Sequence, residues 1–376
     1  MNILTGSEVL ARNGFAELAG RKVGFVANHT ARLNDGTPTL AAMVNANVDV
    51  AALFAPEHGA FGVLDEENIP DQVEPTTGLP IFSLYGEHRK PPAERLAGLD
   101  ALVFEIQDIG ARFYTYSSTL GNCLEAAWEV GIPIYILDRP NPVTGNHCEG
   151  PLADPDLLSF VAYHPIPVRH GLTLGELGRL YCAEKGWGDT ARVVACEGWR
   201  RRMWSDETGV PWVNPSPAMR SLTAATVYPG VCLLEQTNVS VGRGTERPFE
   251  RAGAPFIDGT AWVKALQRMK LPGVAFEEDR FTPKSSKHEG EECGGLRITI
   301  TDRDALDSVR LGIALAVTLR DLYAEIFEIK GVQHLLVNEE SYGLLAEGAG
   351  VDPICASWRE HLRAWDERRR PYLLYV

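Results

Sequence analysis

"VDVAALFAPEHGAFG", residues 48–62, ends an apolar run in a carboxylate, an imidazole and two glycines. Between Val48 and Ala55 only Asp49 is polar, so the run lacks the in-out alternation of a strand with one wet face. A strand buried on both faces reads this way, which points to a parallel sheet covered by helices. KVGFVA (22–27), PIFSLY (80–85), ALVFEI (101–106) and IPIYIL (132–137) share that character. Between them, Leu120, Cys123, Leu124, Ala127 and Trp128 recur at helical spacing and predict a helix over 117–130, stopped by Gly131. A second helix is expected over 38–46, with Thr37 as its N-cap and Pro38 at its first position. The alternation is βαβ, and an α/β fold with an open doubly wound parallel sheet follows.

The chain has 376 residues, 45% of them hydrophobic, which exceeds the usual size of one domain and predicts two. After residue 150 the pattern loosens, and residues 198–220 read as a loop-rich excursion. A boundary is expected near 225, giving units 1–225 and 226–376. The second holds an amphipathic segment 259–270, a strand 295–302 and a helix around 305–326, a smaller α+β arrangement.

Lys and Arg total 36 against 50 Asp and Glu, for a formal charge of −14. That balance argues against nucleic acid or an anionic membrane as partner. The seven cysteines (123, 148, 182, 196, 232, 293 and 355) form no C-x-x-C pair, so neither a zinc site nor a redox motif is expected. The N-terminus has no basic-then-apolar leader, and no apolar run approaches the roughly 18 residues of a bilayer span. Cytoplasmic placement is the expectation, or a periplasmic or secreted one if a leader has been removed. No cofactor is implied, and oligomeric state is left open.

Ligands of open α/β sheets bind outside the carboxyl ends of the strands. There the sequence delivers Asn28-His29-Thr30, Glu57-His58, Glu87-His88-Arg89, Gln107-Asp108 and Asp138-Arg139, one set after each of the five runs. Singly, each could be a cap or a surface ion pair. Jointly they predict a polar cleft. Arg112, Tyr114 and Tyr116 follow directly and supply a cation and two hydroxyl-tipped rings, groups suited to a sugar. His170 precedes a capped helix, and EQTNVSVGRGTERPFE (235–250) gathers Glu235, Asn238, Arg243 and Arg247 around glycines. Its G-R-G-T lacks the lysine and spacing of a P-loop. A glycine-hinged arginine loop clamping a carboxylate is the better reading.

In order, GFVANHT, FAPEHG, SLYGEHRKP, LDALVFEIQDIGARFYTYSSTL, LDRPNP, PIPVRHGLTLGEL, PSPAMR, YPGVCLLEQTNVSVGRGTERPFE and FTPKSSKHEGEECGG resemble the bacterial exo-β-N-acetylmuramidase family over nearly the whole chain. The resemblance implies a Rossmann-like N-terminal domain, a smaller C-terminal domain, and a cleft between them that removes N-acetylmuramic acid from the non-reducing end of peptidoglycan fragments. It carries the family's suspected catalytic glutamate to Glu57. Ala218 of PSPAMR stands where the family pattern has asparagine.

A glycosidase ordinarily pairs a carboxylic acid with a second carboxylate. Glu57, at an apolar strand end, is the acid candidate, because desolvation there favours the protonated form. Asp108, Glu87 and Glu235 qualify as the second group, and the sugar's own acetamido oxygen is a further option. Arg112 and Arg243 are candidates for the lactyl carboxylate. Asn28, His58, Gln107, Tyr114, Tyr116, Asp138, His170 and Asn238 complete the expected binding set. Two other readings compete: a metal-dependent hydrolase built on His58, Asp108 and His170, opposed by the lack of any close ligand pair, and a muropeptide-binding protein without turnover.

Overall fold

Successive residues of each expected strand go to opposite faces of one sheet, and both faces are covered. In the computed structural model, which describes residues 3–64, 66 and 68–376, Val23, Phe25 and Ala27 pack with Leu10, Leu18 and Met43 on one side. Val26, Phe54, Leu102 and Phe104 pack with Leu120, Leu124 and Leu177 on the other. This two-sided burial is why the runs read as continuous apolar stretches. Each fully buried aliphatic or aromatic side chain contributes about 1.5–3 kcal/mol, and truncating Phe54 to alanine would cost about 3–5 kcal/mol.

The strands are β1 (Lys22–Ala27), β2 (Asp49–Ala55), β3 (Gln72–Val73), β4 (Pro80–Ser83), β5 (Ala101–Glu105), β6 (Ile134–Leu137), β7 (Glu149–Leu152), β8 (Pro167–Arg169), β9 (Ala191–Val194), β10 (Arg251–Ala254), β11 (Val274–Phe281) and β12 (Cys293–Ile300). Seven form a sheet in the order β3-β4-β2-β1-β5-β6-β9, parallel except for the short edge strand β3. From β1 the chain winds outward through β2 and β4, then returns to the other side of β1 through β5, β6 and β9. That is a doubly wound, Rossmann-like sheet, and its topological switch lies between β1 and β5. β10, β12 and β11 make a separate antiparallel sheet, and β7 with β8 a two-stranded ribbon.

The expected helix after β5 spans Tyr116–Val130 and ends at Gly131. The helix after β1 spans Thr39–Asn45, and Pro38 rather than Thr37 occupies its N-cap position. Thr37 instead closes a turn with Asp35, whose carboxylate accepts its backbone N–H at 2.8 Å. In the C-terminal half, the helices Gly259–Met269 and Ser308–Tyr323 pack together, with Trp262 Nε1 donating to Thr318 Oγ1 at 2.8 Å. Strands β3, β7, β8, β9, β10 and β11 lie outside the five-strand sequence reading.

Candidate active site

β2 ends at Ala55, and the chain turns at once: Gly59 N–H closes on Pro56 carbonyl at 3.0 Å, with His58 in the left-handed region at φ +70°. The turn sets Glu57 and His58, both half-buried, into a cleft of about 920 Å³. Thr115 occupies the N-cap position of the helix Tyr116–Val130, but its hydroxyl does not cap that helix. It donates to Glu57 Oε2 in a short hydrogen bond. His58 Nδ1 is held 2.7 Å from the Leu64 carbonyl.

An aromatic cluster floors the cleft. Tyr228 packs against Phe113, Tyr114 and Phe249 with ring centroids 5.4, 5.7 and 4.7 Å apart. Burial pushes the Tyr114 and Tyr228 hydroxyls well above the usual phenol range, so both remain protonated donors. At the rim the Arg89 guanidinium lies 4.4 Å from the Phe160 ring centre, beside Tyr85.

The facing wall comes from the C-terminal half. Glu235 follows the helix Leu222–Val231 and its 3₁₀ extension Cys232–Leu234. Its Oε1 accepts from Arg243 Nη1 at 2.7 Å, and its Oε2 from Cys232 Sγ at 3.0 Å. Gly242 and Gly244, at φ +80° and +77°, flank Arg243. A side chain at Gly244 would strike the backbone of Ser285, and this close approach brings Ser285 and Ser286 to the cleft beside the arginine. Among the described residues, Glu57 and Glu235 are the carboxylates lining the cleft.

Residues 23–223 match the N-terminal part, and residues 226–375 the C-terminal part, of the family described as exo-beta-N-acetylmuramidase NamZ. The chain belongs to the NamZ family. It is 40% identical over 379 residues to the peptidoglycan beta-N-acetylmuramidase NamZ of Bacillus subtilis (strain 168), covering 99% of this chain and 91% of that protein. Two crystal structures of DUF1343 family proteins from Bacteroides fragilis NCTC 9343 share the fold. One superposes with a TM-score of 0.93 at 30% identity, the other with 0.81 at 28%; each comparison covers 100% of this chain and 99% of the other.

In this NamZ-family chain the cleft gathers six of the residues named from sequence: Glu57, His58, Arg89, Tyr114, Glu235 and Arg243. The others lie elsewhere. Arg112, 1% exposed, gives Nη1 to the carbonyls of Pro151 and Ile166 and Nη2 to those of Leu335 and Leu336, at 2.8–3.1 Å. Burial lowers its pKa to about 9, and its Nη donors are spent on the main chain, so it is no carboxylate clamp. Asp108 does not line the cleft. Its Oδ2 accepts from Gly110 N–H at 2.7 Å and faces His170 Nε2 at 3.6 Å. His170 itself is fully buried, its Nδ1 accepting from Leu172 N–H, which leaves the ring proton on Nε2 toward Asp108.

Asp138 accepts from Gly175 N–H, the Thr173 hydroxyl and the Tyr375 hydroxyl, anchoring the start of the helix Leu174–Lys185, and desolvation raises its pKa to about 6. Asn28 bonds Thr30 through its oxygen and the Tyr116 hydroxyl through its nitrogen, and Tyr116 in turn donates to the Pro215 carbonyl at 2.6 Å. Gln107 is occupied by Arg139 and by the carbonyls of Asp108 and Pro140. Asn238 pins residues 326–328. Glu87 stands in solvent, its side chain 88% exposed. Nor do His58, Asp108 and His170 converge, and among the described residues no group of three His, Cys, Asp or Glu side chains is placed to hold a metal.

Sequence reasoning missed Tyr85, Thr115, Ser216, Tyr228, Cys232, Phe249 and His334, all of which line the cleft. Tyr85 sits within SLYGEHRKP, where the charged residues that follow it drew attention instead. Thr115 lies between the two tyrosines of FYTYSS and carries no local sign of its partner. Ala218 also lines the cleft.

Proposed function

We infer that this protein is a glycoside hydrolase releasing N-acetylmuramic acid from the non-reducing end of peptidoglycan-derived fragments, in cell wall degradation and recycling. One observation carries the chemical part of the reading: a half-buried glutamate at a strand end, oriented by a hydroxyl, in an aromatic-floored cleft with Glu235 as the other carboxylate among the described residues. Full-length kinship with a peptidoglycan beta-N-acetylmuramidase supports the substrate.

Glu57 is assigned as general acid toward the leaving glycosidic oxygen, with Thr115 fixing which carboxyl oxygen is free to donate. Both oxygens of Glu235 are engaged, by Arg243 and Cys232. That suits Glu235 to holding Arg243 toward the lactyl carboxylate and leaves nucleophilic attack to the substrate's acetamido oxygen. Tyr114 and Tyr228 present rings to the sugar faces. The deciding experiment is hydrolysis of an aryl glycoside of N-acetylmuramic acid by the wild type and by Glu57→Gln. Turnover lost in the variant with binding retained supports the reading. Tight binding with no turnover by the wild type replaces it with a muropeptide-binding protein.

A further inference from the structure

Beside the cleft runs an open groove of about 700 Å³ between the loop that follows Glu57 and the segment 212–220. Phe61 and Val63 stand on its first wall, 44% and 70% exposed. Trp212 and Arg220 belong to the second, and the Trp212 indole is fixed by donating from Nε1 to Asn214 Oδ1 at 3.0 Å. His29 joins the walls: its Nε2 lies 2.7 Å from the Asn214 carbonyl, and Gly62 crosses its ring where a Cβ would fall 1.8 Å from the imidazole. Glycine is therefore required for the first wall to reach the second.

We propose that this groove binds the leaving saccharide, the sugars on the reducing side of the scissile bond. The proposal rests on the muramidase reading of the cleft. Continuity is the first argument, because Ser216 lines both cavities and Glu57 and His58 begin the loop that carries Phe61. Chemistry is the second. Two aromatic side chains with polar tips nearby make a sugar platform, and an open groove suits a polymer that continues past it. Charge is the third: in a chain of net −14, the described lining holds Arg220 and no carboxylate. Such a lining tolerates a glycan whose alternate sugars carry lactyl carboxylates. Tyr116 and Asn28 support the second wall from beneath through the Pro215 carbonyl.

The test compares kcat/KM for an aryl N-acetylmuramic acid glycoside, which ends at the cleft, with that for a peptide-free tetrasaccharide of alternating N-acetylmuramic acid and N-acetylglucosamine. In Phe61→Ala and in Trp212→Ala the tetrasaccharide-to-aryl ratio should fall about 3- to 10-fold, the size of one lost ring contact. Phe61 is exposed enough that its truncation leaves the fold intact should Trp212→Ala fail to fold. Calorimetric binding of the leaving trisaccharide to the wild type and to Phe61→Ala reads the groove without turnover, and the variant should bind about 3- to 10-fold more weakly. An unchanged ratio in Phe61→Ala overturns the proposal. So does an effect seen only with peptide-bearing fragments, which would assign the groove to the stem peptide, or a wild type that fails to bind the trisaccharide at millimolar concentration. An aryl glycoside inert to the wild type would count against the muramidase reading instead, and calorimetry would still decide the groove.

Discussion

Arg243 Nη1 and Glu235 Oε1 stand 2.7 Å apart on the cleft wall, with about a quarter and a fifth of their side chains exposed. Arg243 lines the cleft with its guanidinium partly exposed, which places it to meet a substrate carboxylate. Replacing Arg243 with alanine should therefore lower kcat/KM for muramic acid glycosides by roughly 10- to 150-fold, the worth of a charge-assisted hydrogen bond. Glycosides of N-acetylglucosamine, which lack the lactyl carboxylate, should be much less affected. Equal losses on the two sugars would remove Arg243 from substrate selection.

Glu57→Gln should reduce kcat by about 10²- to 10⁴-fold while its melting temperature stays close to that of the wild type. A variant with near-normal kcat would exclude Glu57 as the acid.

Thr115 acts on Glu57 through one hydroxyl. Thr115→Val keeps the shape but loses the donor, and should lower kcat about 10-fold with KM little changed. Thr115→Ser should restore most of the rate. If valine and serine behaved alike, the hydrogen bond would have no part in positioning the acid.

Arg112→Ala would leave four buried carbonyls without their donor. Each unsatisfied buried acceptor costs about 1–3 kcal/mol, so a loss of several kcal/mol in unfolding free energy is expected. Denaturant titration checks this, and a variant as stable as the wild type would contradict the structural role.

Asp138 sets a pH dependence whose sign follows from its raised pKa of about 6. A carboxyl that binds its proton more tightly folded than unfolded stabilises most below its unfolded value and loses that contribution as pH climbs to about 6. Across that window the wild type should lose on the order of 3 kcal/mol relative to Asp138→Asn. Unfolding free energies of both proteins at pH 4, 5, 6 and 7 measure it, and parallel curves would refute it.

The sheet was readable because burial on both faces leaves a one-dimensional mark: Phe25 and Val26 go to opposite cores, yet both must be apolar. Glu57 was readable for a related reason, being the first charge after such a run. Arg112, Asp138 and Asn28 misled because a strand end also needs its own polar anchors, and residue type does not tell an anchor from a ligand. What distinguishes Arg112 is a set of carbonyls 39 to 224 residues away, and main-chain acceptors have no signature in sequence. Tyr228, Phe249 and His334 reach the cleft only through packing of the C-terminal half, which no local pattern announces. The edge strand β9 (ARVV) did not stand out because it is only partly buried and carries an exposed arginine, so it leaves no continuous apolar run.

Arg112 directly precedes Phe113, Tyr114 and Thr115 on one wall of the cleft, and two of its carbonyl partners lie in the turn that brings His334 and Leu335 to it. A single side chain thus spans the aperture from behind, like a spacer between two jaws. Pulling the jaws apart would strip a buried cation of its acceptors, so resistance to widening is built into this part of the slot.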